Sequence, residues 1–427
     1  MLFALRCPHI ASIDRQPFSG DGILTRRIIF TLLALGVVFG RGVDALDAAD
    51  GLELRDGDRI VLLGNTLIER AQTYGYLETA LTIGNPGLGL TFRNIGWSAD
   101  NVFGHSRAVF DAAAKGFGKL RKQVADAKPT VLIIGYGSNA AYDGAAALPA
   151  FVAGYKRLLD ALAETGARIA LLSPVRLEKM KLPLPDPAGQ NENLALYTAA
   201  ISGIAAERKL LFIDLFRDLR ADSPDEQLTS NGIHLNALGY LKAGHLISGR
   251  IGAGGKAAAL AIDAGKPAGI SAKDARVEGL EKKGGTITFK VLQGNLPRFS
   301  AAGGAEQVLR VTGLRSGDYA LRVDGVEVVK ADSSQWKAGV HVGGGPDYER
   351  IETIRRLAIE KNFFYFHRYR PANWPYIYGF RRHEQGNNAV EIPLFDPLIT
   401  EKEAAIARLR VPVTRTYELS RVKGGAK

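Results

Sequence analysis

Between residues 58 and 250, five short apolar runs (59–63, 91–94, 131–135, 169–173 and 211–214) alternate with longer amphipathic stretches. Each run is β-branched or leucine-rich and is flanked by turn residues. Strands buried on both faces of a parallel sheet read this way. In the stretches between them, Leu148, Phe151, Tyr155, Leu158, Leu159 and Leu162 recur at helical spacing, as do Leu194, Tyr197, Ile201 and Ile204. Strands alternating with helices predict a three-layer α/β/α sandwich around a parallel sheet, spanning 50–250.

The pattern then changes. Residues 251–269 are rich in Gly, Ala and Lys and read as a linker. Beyond them the apolar period becomes two: Ile287, Phe289 and Val291 alternate with polar residues, and so do Tyr319, Leu321 and Val323. Asp324-Gly325 between two such runs is a hairpin turn. Residues 270–342 are therefore expected to form a small β-rich subdomain. A helix is predicted at about 347–361, from Ile351, Ile354, Leu357 and Ala358 on one face. It opens a C-terminal helical and aromatic-rich arm, 343–427. From Phe363 to Phe380 that arm holds nine aromatic residues interleaved with Arg368 and Arg370.

Residues 1–45 read as an export signal. Arg26 and Arg27 precede an apolar run, 28–39, too short to span a bilayer comfortably, and Val43-Asp44-Ala45 offers a cleavage site. The protein is expected to be exported (periplasmic, envelope-associated or secreted), with no stable membrane span once the signal is removed. The single cysteine, Cys7, lies in this segment, so disulfide and thiolate chemistry are excluded from the rest of the chain. The net charge of +11 is spread along the sequence without a nucleic-acid-binding motif, so no nucleic-acid partner is expected. The histidines lack metal-ligand spacing, and neither a metal nor a cofactor is expected. The oligomeric state is left open.

Four segments carry candidate chemistry. The first strand ends in Gly64-Asn65-Thr66, which puts a hydroxyl in the tight turn before a helix, where open α/β sheets bind ligands. Thr66 with Glu69 also fits a capping box, and spacing alone favours that plainer role. The second strand ends in Asn94-Ile95-Gly96-Trp97 and the third in Gly135-Tyr136-Gly137-Ser138-Asn139. Glycines there permit close backbone approach, and an Asn side chain can donate to a developing oxyanion. Finally, Asn231-Gly232-Ile233-His234 places a histidine after the fifth strand, within reach of the first strand's end as a general base.

In order and spacing these pieces resemble the SGNH, or GDSL-type, hydrolases, over about residues 56–250. Gly64-Asn65-Thr66 is similar to the Gly-Asp-Ser block, Gly96 to the second block's glycine, Gly137-Ser138-Asn139 to the Gly-x-Asn block, and Asn231 to His234 to the Asp-x-x-His block. The resemblance implies a flavodoxin-like sandwich and an esterase without a cofactor. Thr66 would be the nucleophile and His234 the base, oriented by Asn231. The oxyanion hole would comprise Thr66, Gly96 and Asn139. Two departures stand out: Thr replaces the nucleophilic Ser, and Asn replaces the triad Asp. Asn65, Trp97, His383 and Glu384 are candidate substrate or lid contacts, although the aromatic arm reads first as packing. The expected partner is an ester substrate, with a carbohydrate O-acyl group as the candidate. The alternative is an impaired member that binds a glycan or anionic ligand.

Overall fold

The computed structural model describes residues 52–252, 258–266, 269–298, 307–384 and 388–422. The export signal, Cys7 and parts of the expected linker lie outside these residues. The chain runs β1 (Arg59–Gly64), α1 (Thr66–Tyr74), α2 (Tyr76–Gly84), β2 (Thr91–Asn94), α3 (Lys115–Ala127), β3 (Val131–Gly135), α4 (Leu148–Leu162), β4 (Arg168–Leu172), α5 (Ala188–Arg208), β5 (Leu211–Ile213), α6 (Leu215–Asp218) and α7 (Ala237–Arg250). The five strands form one parallel sheet in the order β2-β1-β3-β4-β5. All five expected runs became strands, and the three-layer sandwich stands.

Alternation along each strand divides the core in two. Val61, Leu63, Leu132 and Ile134 face α3, α4 and α5, where Leu120, Phe151, Tyr155 and Ile201 meet them. Ile60, Leu62, Val131 and Ile133 face the opposite layer and pack against Ile68, Leu77, Leu81 and Ile247. Both faces are covered, so the strands need apolar residues at every position and lose the two-residue period.

The second domain contains β6 (Ala259–Asp263), β7 (Ile270–Lys273), β8 (Ala275–Lys283), β9 (Thr286–Gln293), β10 (Val308–Thr312), β11 (Asp318–Val323), β12 (Val326–Asp332), α8 (Ser333–Ala338) and β13 (Val340–His341). It is followed by α9 (Pro346–Tyr369), α10 (Trp374–Ile377), α11 (Phe395–Leu409) and β14 (Arg415–Arg421). The sheets β13-β10-β6-β7 and β12-β11-β14-β9-β8 enclose one core, in which Leu260, Val311, Phe289, Leu321, Tyr417 and Trp336 meet. This is a β-sandwich. The Asp324-Gly325 turn joins β11 to β12 with φ of 49° and 82°, the left-handed pair that a tight hairpin requires.

Two boundaries differ from expectation. The stretch expected to be a linker contains β6, which pairs in parallel with β10; its Ala-Leu-Ala-Ile-Asp sequence buries only alternate residues and looks weak by composition. The C-terminal arm is not a separate appendage. Its last strand, β14, lies between β11 and β9 in the middle of the sandwich sheet. The first half of the aromatic tract is the end of α9, which extends eight residues past the expected 361. This helix docks on the first domain through a buried polar cluster: Lys361 Nζ lies 2.6 Å from Glu78 Oε2 and donates to the Phe92 carbonyl at 3.1 Å, and Asn362 Nδ2 donates to Glu78 Oε1 at 2.7 Å. No helix among the described residues is long and apolar enough to cross a membrane.

Candidate active site

The sheet reverses its winding between β1 and β3, the switch point at which doubly wound sheets bind ligands beyond the strands' carboxyl ends. Strands β1 and β3 run so close there that a Cβ on Gly64 would come within 2.3 Å of the Gly135 carbonyl oxygen. Helix α1 starts immediately afterwards. Its N-cap is Asn65, whose Oδ1 accepts the Leu67 N–H at 3.3 Å. Thr66 therefore does not cap the helix, and no capping box forms with Glu69. The Glu69 carboxylate instead accepts the Ser98 N–H and pairs with Arg370 at 3.2 Å. The Thr66 hydroxyl, half-buried, receives one protein donor, the Ala99 N–H at 3.3 Å.

That donor revises the expected oxyanion hole. The Gly96 N–H is taken by Asn94 Oδ1 at 2.9 Å, and the Gly96 carbonyl accepts the Tyr369 hydroxyl at 2.8 Å. Gly96 lies against helix α1, where a Cβ would stand 2.3 Å from the Glu69 nitrogen. Its requirement is space, and Ala99, three residues on, presents its N–H to Thr66. Ala99 does so from φ 60°, a left-handed conformation that is unfavourable for alanine. The loop is held from beneath by Arg107, which is fully buried. Its Nε pairs with Asp100 Oδ2 at 2.7 Å and its Nη2 donates to the Ile95 carbonyl at 2.9 Å. No signal in the sequence marked Ala99; a non-glycine residue at positive φ is visible only in three dimensions.

His234 sits on a tight loop closed by a bridge between Thr229 and Leu235. Asn231 Oδ1 accepts the backbone N–H groups of Ile233 (3.2 Å) and His234 (2.9 Å), and the Asn231 side chain lies beside the ring, Nδ2 at 3.1 Å and Oδ1 at 3.3 Å from His234 Nδ1. With Oδ1 already receiving two donors, the network assigns Nδ2 as donor to Nδ1. Burial and the positive charge of Arg70 hold the His234 pKa below the ordinary histidine value, so the ring is neutral at pH 7. Sequence reasoning missed what fastens this loop. Glu178, after β4, accepts the Leu228 N–H (2.9 Å), the Thr229 N–H (2.8 Å) and the Thr229 hydroxyl (2.5 Å), while its own N–H donates to the Gly232 carbonyl at 2.9 Å.

Asn65, Thr66, Asn139 and His234 line one small cleft of about 90 Å³, together with Tyr142 and Tyr240. Among the described residues no hydrogen bond joins Thr66 to His234. Three other expected contacts fall elsewhere. Trp97 is buried between Arg370, 3.7 Å from its ring centroid, and Arg107. His383 and Glu384 are exposed; Glu384 pairs with Arg381, and His383 lies 3.9 Å from Glu384. Among the described residues of the aromatic arm, Tyr369 and Arg370 brace the Gly96 loop from behind.

With this geometry in place, residues 71–242 match the GDSL-like Lipase/Acylhydrolase family, a match that begins five residues after Thr66 and includes His234. The match places a GDSL-like lipase/acylhydrolase domain over residues 71–242. No curated protein matches the sequence. Among solved structures, a gut microbial diltiazem-metabolizing enzyme is similar across both domains, at 18% identity and TM-score 0.69, covering 88% of this chain and all of its own. An acetylxylan esterase from Geobacillus stearothermophilus aligns at 18% identity and TM-score 0.38, covering 47% of this chain and 97% of its own.

Proposed function

We propose that the protein is an exported esterase that removes a small O-acyl group from a carbohydrate. Thr66 Oγ1 attacks the acyl carbonyl, His234 accepts the hydroxyl proton and passes it to the leaving alcohol, and water then releases the acyl group by the reverse proton path. The Ala99 N–H and the Asn139 side chain are the oxyanion donors. The reading rests on one observation: Thr66, Asn139 and His234 line the same cleft at the sheet's switch point. At about 90 Å³ the cleft is well below the several hundred Å³ of a typical ligand site, which suits a short acyl group and leaves the alcohol outside. Tyr142, 57% exposed at the edge of the cleft, offers a face for a sugar ring. Export is supported by the basic pair and apolar run at 26–39.

A second reading, a binding protein that keeps the cleft without fast turnover, draws on Asn231. An amide donating to Nδ1 leaves the ring proton on Nε2, the nitrogen a general base must keep free. Hydrolysis of 4-nitrophenyl acetate and acetylated xylan, measured beside Thr66→Ala and His234→Ala, separates the two. Turnover lost in both variants establishes the esterase; turnover absent from the wild type, or unchanged in both variants, establishes the binding protein.

A further inference from the structure

Helix α1 carries a cation that the ester chemistry leaves without a task. Arg70 follows Thr66 by four residues, so the two lie on one helix face. Arg70 stands near Tyr240, a residue of the cleft wall, and its positive charge is one of the causes that lower the His234 pKa. Among the described residues Arg70 makes no ion pair, and its Nε is buried without a hydrogen-bond partner. A second donor is idle on the cleft's own wall. Asn65 is 1% exposed and its Oδ1 is committed to Leu67, which leaves Nδ2 buried and unpartnered.

The lining of the cleft contains no carboxylate. The two positions that resemble acid positions of the Gly-Asp-Ser and Asp-x-x-His blocks hold the amides Asn65 and Asn231. Buried donors without acceptors are costly, and a partly desolvated guanidinium binds a carboxylate far better than it binds a neutral group.

We propose that Arg70 and Asn65 Nδ2 form a carboxylate-binding subsite beside Thr66, so that the ester this protein takes carries a carboxylate, either on its acyl group or on the adjoining sugar. The ester part of this statement rests on the function proposed above; the anion part does not.

Calorimetric titration of the full chain tests it without turnover. The ligands are two pairs: sodium succinate against succinamide for an acyl-side carboxylate, and sodium galacturonate against galactose for a sugar-side one. At least one acid should bind about tenfold or more tightly than its neutral partner, the value of one charge-assisted hydrogen bond. The preferred pair identifies which side of the ester bears the charge. Arg70→Gln should abolish the preference, and Arg70→Lys should keep part of it as a point charge without the guanidinium fork. Asn65→Asp, which sets a like charge against the ligand, should abolish it independently. Equal binding of acid and neutral partner in both pairs overturns the proposal, as does a preference that survives Arg70→Gln. A chain inactive on esters but selective for the acid keeps the subsite and loses the esterase; an active chain without selectivity does the reverse.

Discussion

Asn231 governs His234 through one short contact. Its amide oxygen is occupied by two backbone N–H groups, so its NH₂ faces Nδ1 and the ring proton is driven to Nε2. A carboxylate there would accept from Nδ1–H and free Nε2 as a base. In a serine protease triad the Asp-to-Asn exchange costs about four orders of magnitude in kcat. We therefore expect Asn231→Asp to raise kcat on 4-nitrophenyl acetate by about a hundredfold or more; an unchanged kcat would show that the amide does not set the tautomer. The pH profile follows from the same ring. Burial and Arg70 lower the His234 pKa, so with His234 as the proposed base the acid limb of kcat/KM should lie below the ordinary histidine value of about 6.5. Removing the charge in Arg70→Gln removes one of the two lowering causes. The limb should then move to higher pH, and a limb that stays in place or moves lower counts against the assignment of His234 as base.

At the scale of elements, the site is assembled from loops at the carboxyl ends of the strands, two of them held by side chains from elsewhere. The loop after β2 is held by Asn94, Arg107 and Tyr369. The histidine loop is held by Glu178, whose carboxylate gathers three donors from residues 228 and 229. Glu178→Gln turns one acceptor atom into a donor facing those donors. The loop should loosen and His234 lose its aim, with kcat falling by about a hundredfold, the scale of an ångström-sized misplacement. Amides 228–234 should then exchange hydrogen faster. Reduced kcat with unchanged exchange would mean that Glu178 acts in some other way.

At the scale of the molecule, the chain leaves the first domain at the end of α7, builds most of the β-sandwich, returns along α1 and α2 as α9, and finishes the sandwich with β14. Helix α9 thus fastens the two domains, and the Lys361–Glu78 pair lies at its contact with the first. Replacing Lys361 with Met strands a buried carboxylate and should cost about 3–5 kcal/mol, read from urea unfolding. Adding Glu78→Leu should recover most of that loss, because a well-packed apolar pair does not need the charges. A single variant as stable as the wild type would show that Glu78 finds another partner. The similarity to the diltiazem-metabolizing enzyme over 88% of the chain extends to this two-domain plan.

The sequence by itself determined the parallel sheet, because strands covered on both faces must be apolar throughout and the residues between them must show a helical stripe. It also determined the β11–β12 hairpin, because Asp324 and Gly325 tolerate positive φ, and it indicated Thr66, Asn139 and His234, because glycine-bearing strand ends and a loop histidine stand at recognisable intervals. Tertiary structure alone decided the rest. Ala99 became the donor facing Thr66 because helix α1 presses on Gly96 and turns its N–H towards Asn94. Asn65 rather than Thr66 became the cap because the backbone turns helical at Thr66, leaving Asn65 extended with its Oδ1 on the Leu67 N–H, while Glu69 turns to Ser98 and Arg370. Glu178, Arg70 and β14 found their places through contacts between residues far apart in the chain. Local propensity and periodicity report a residue's own element, whereas the direction of an N–H, the idleness of a guanidinium and the central place of a last strand depend on what packs against them.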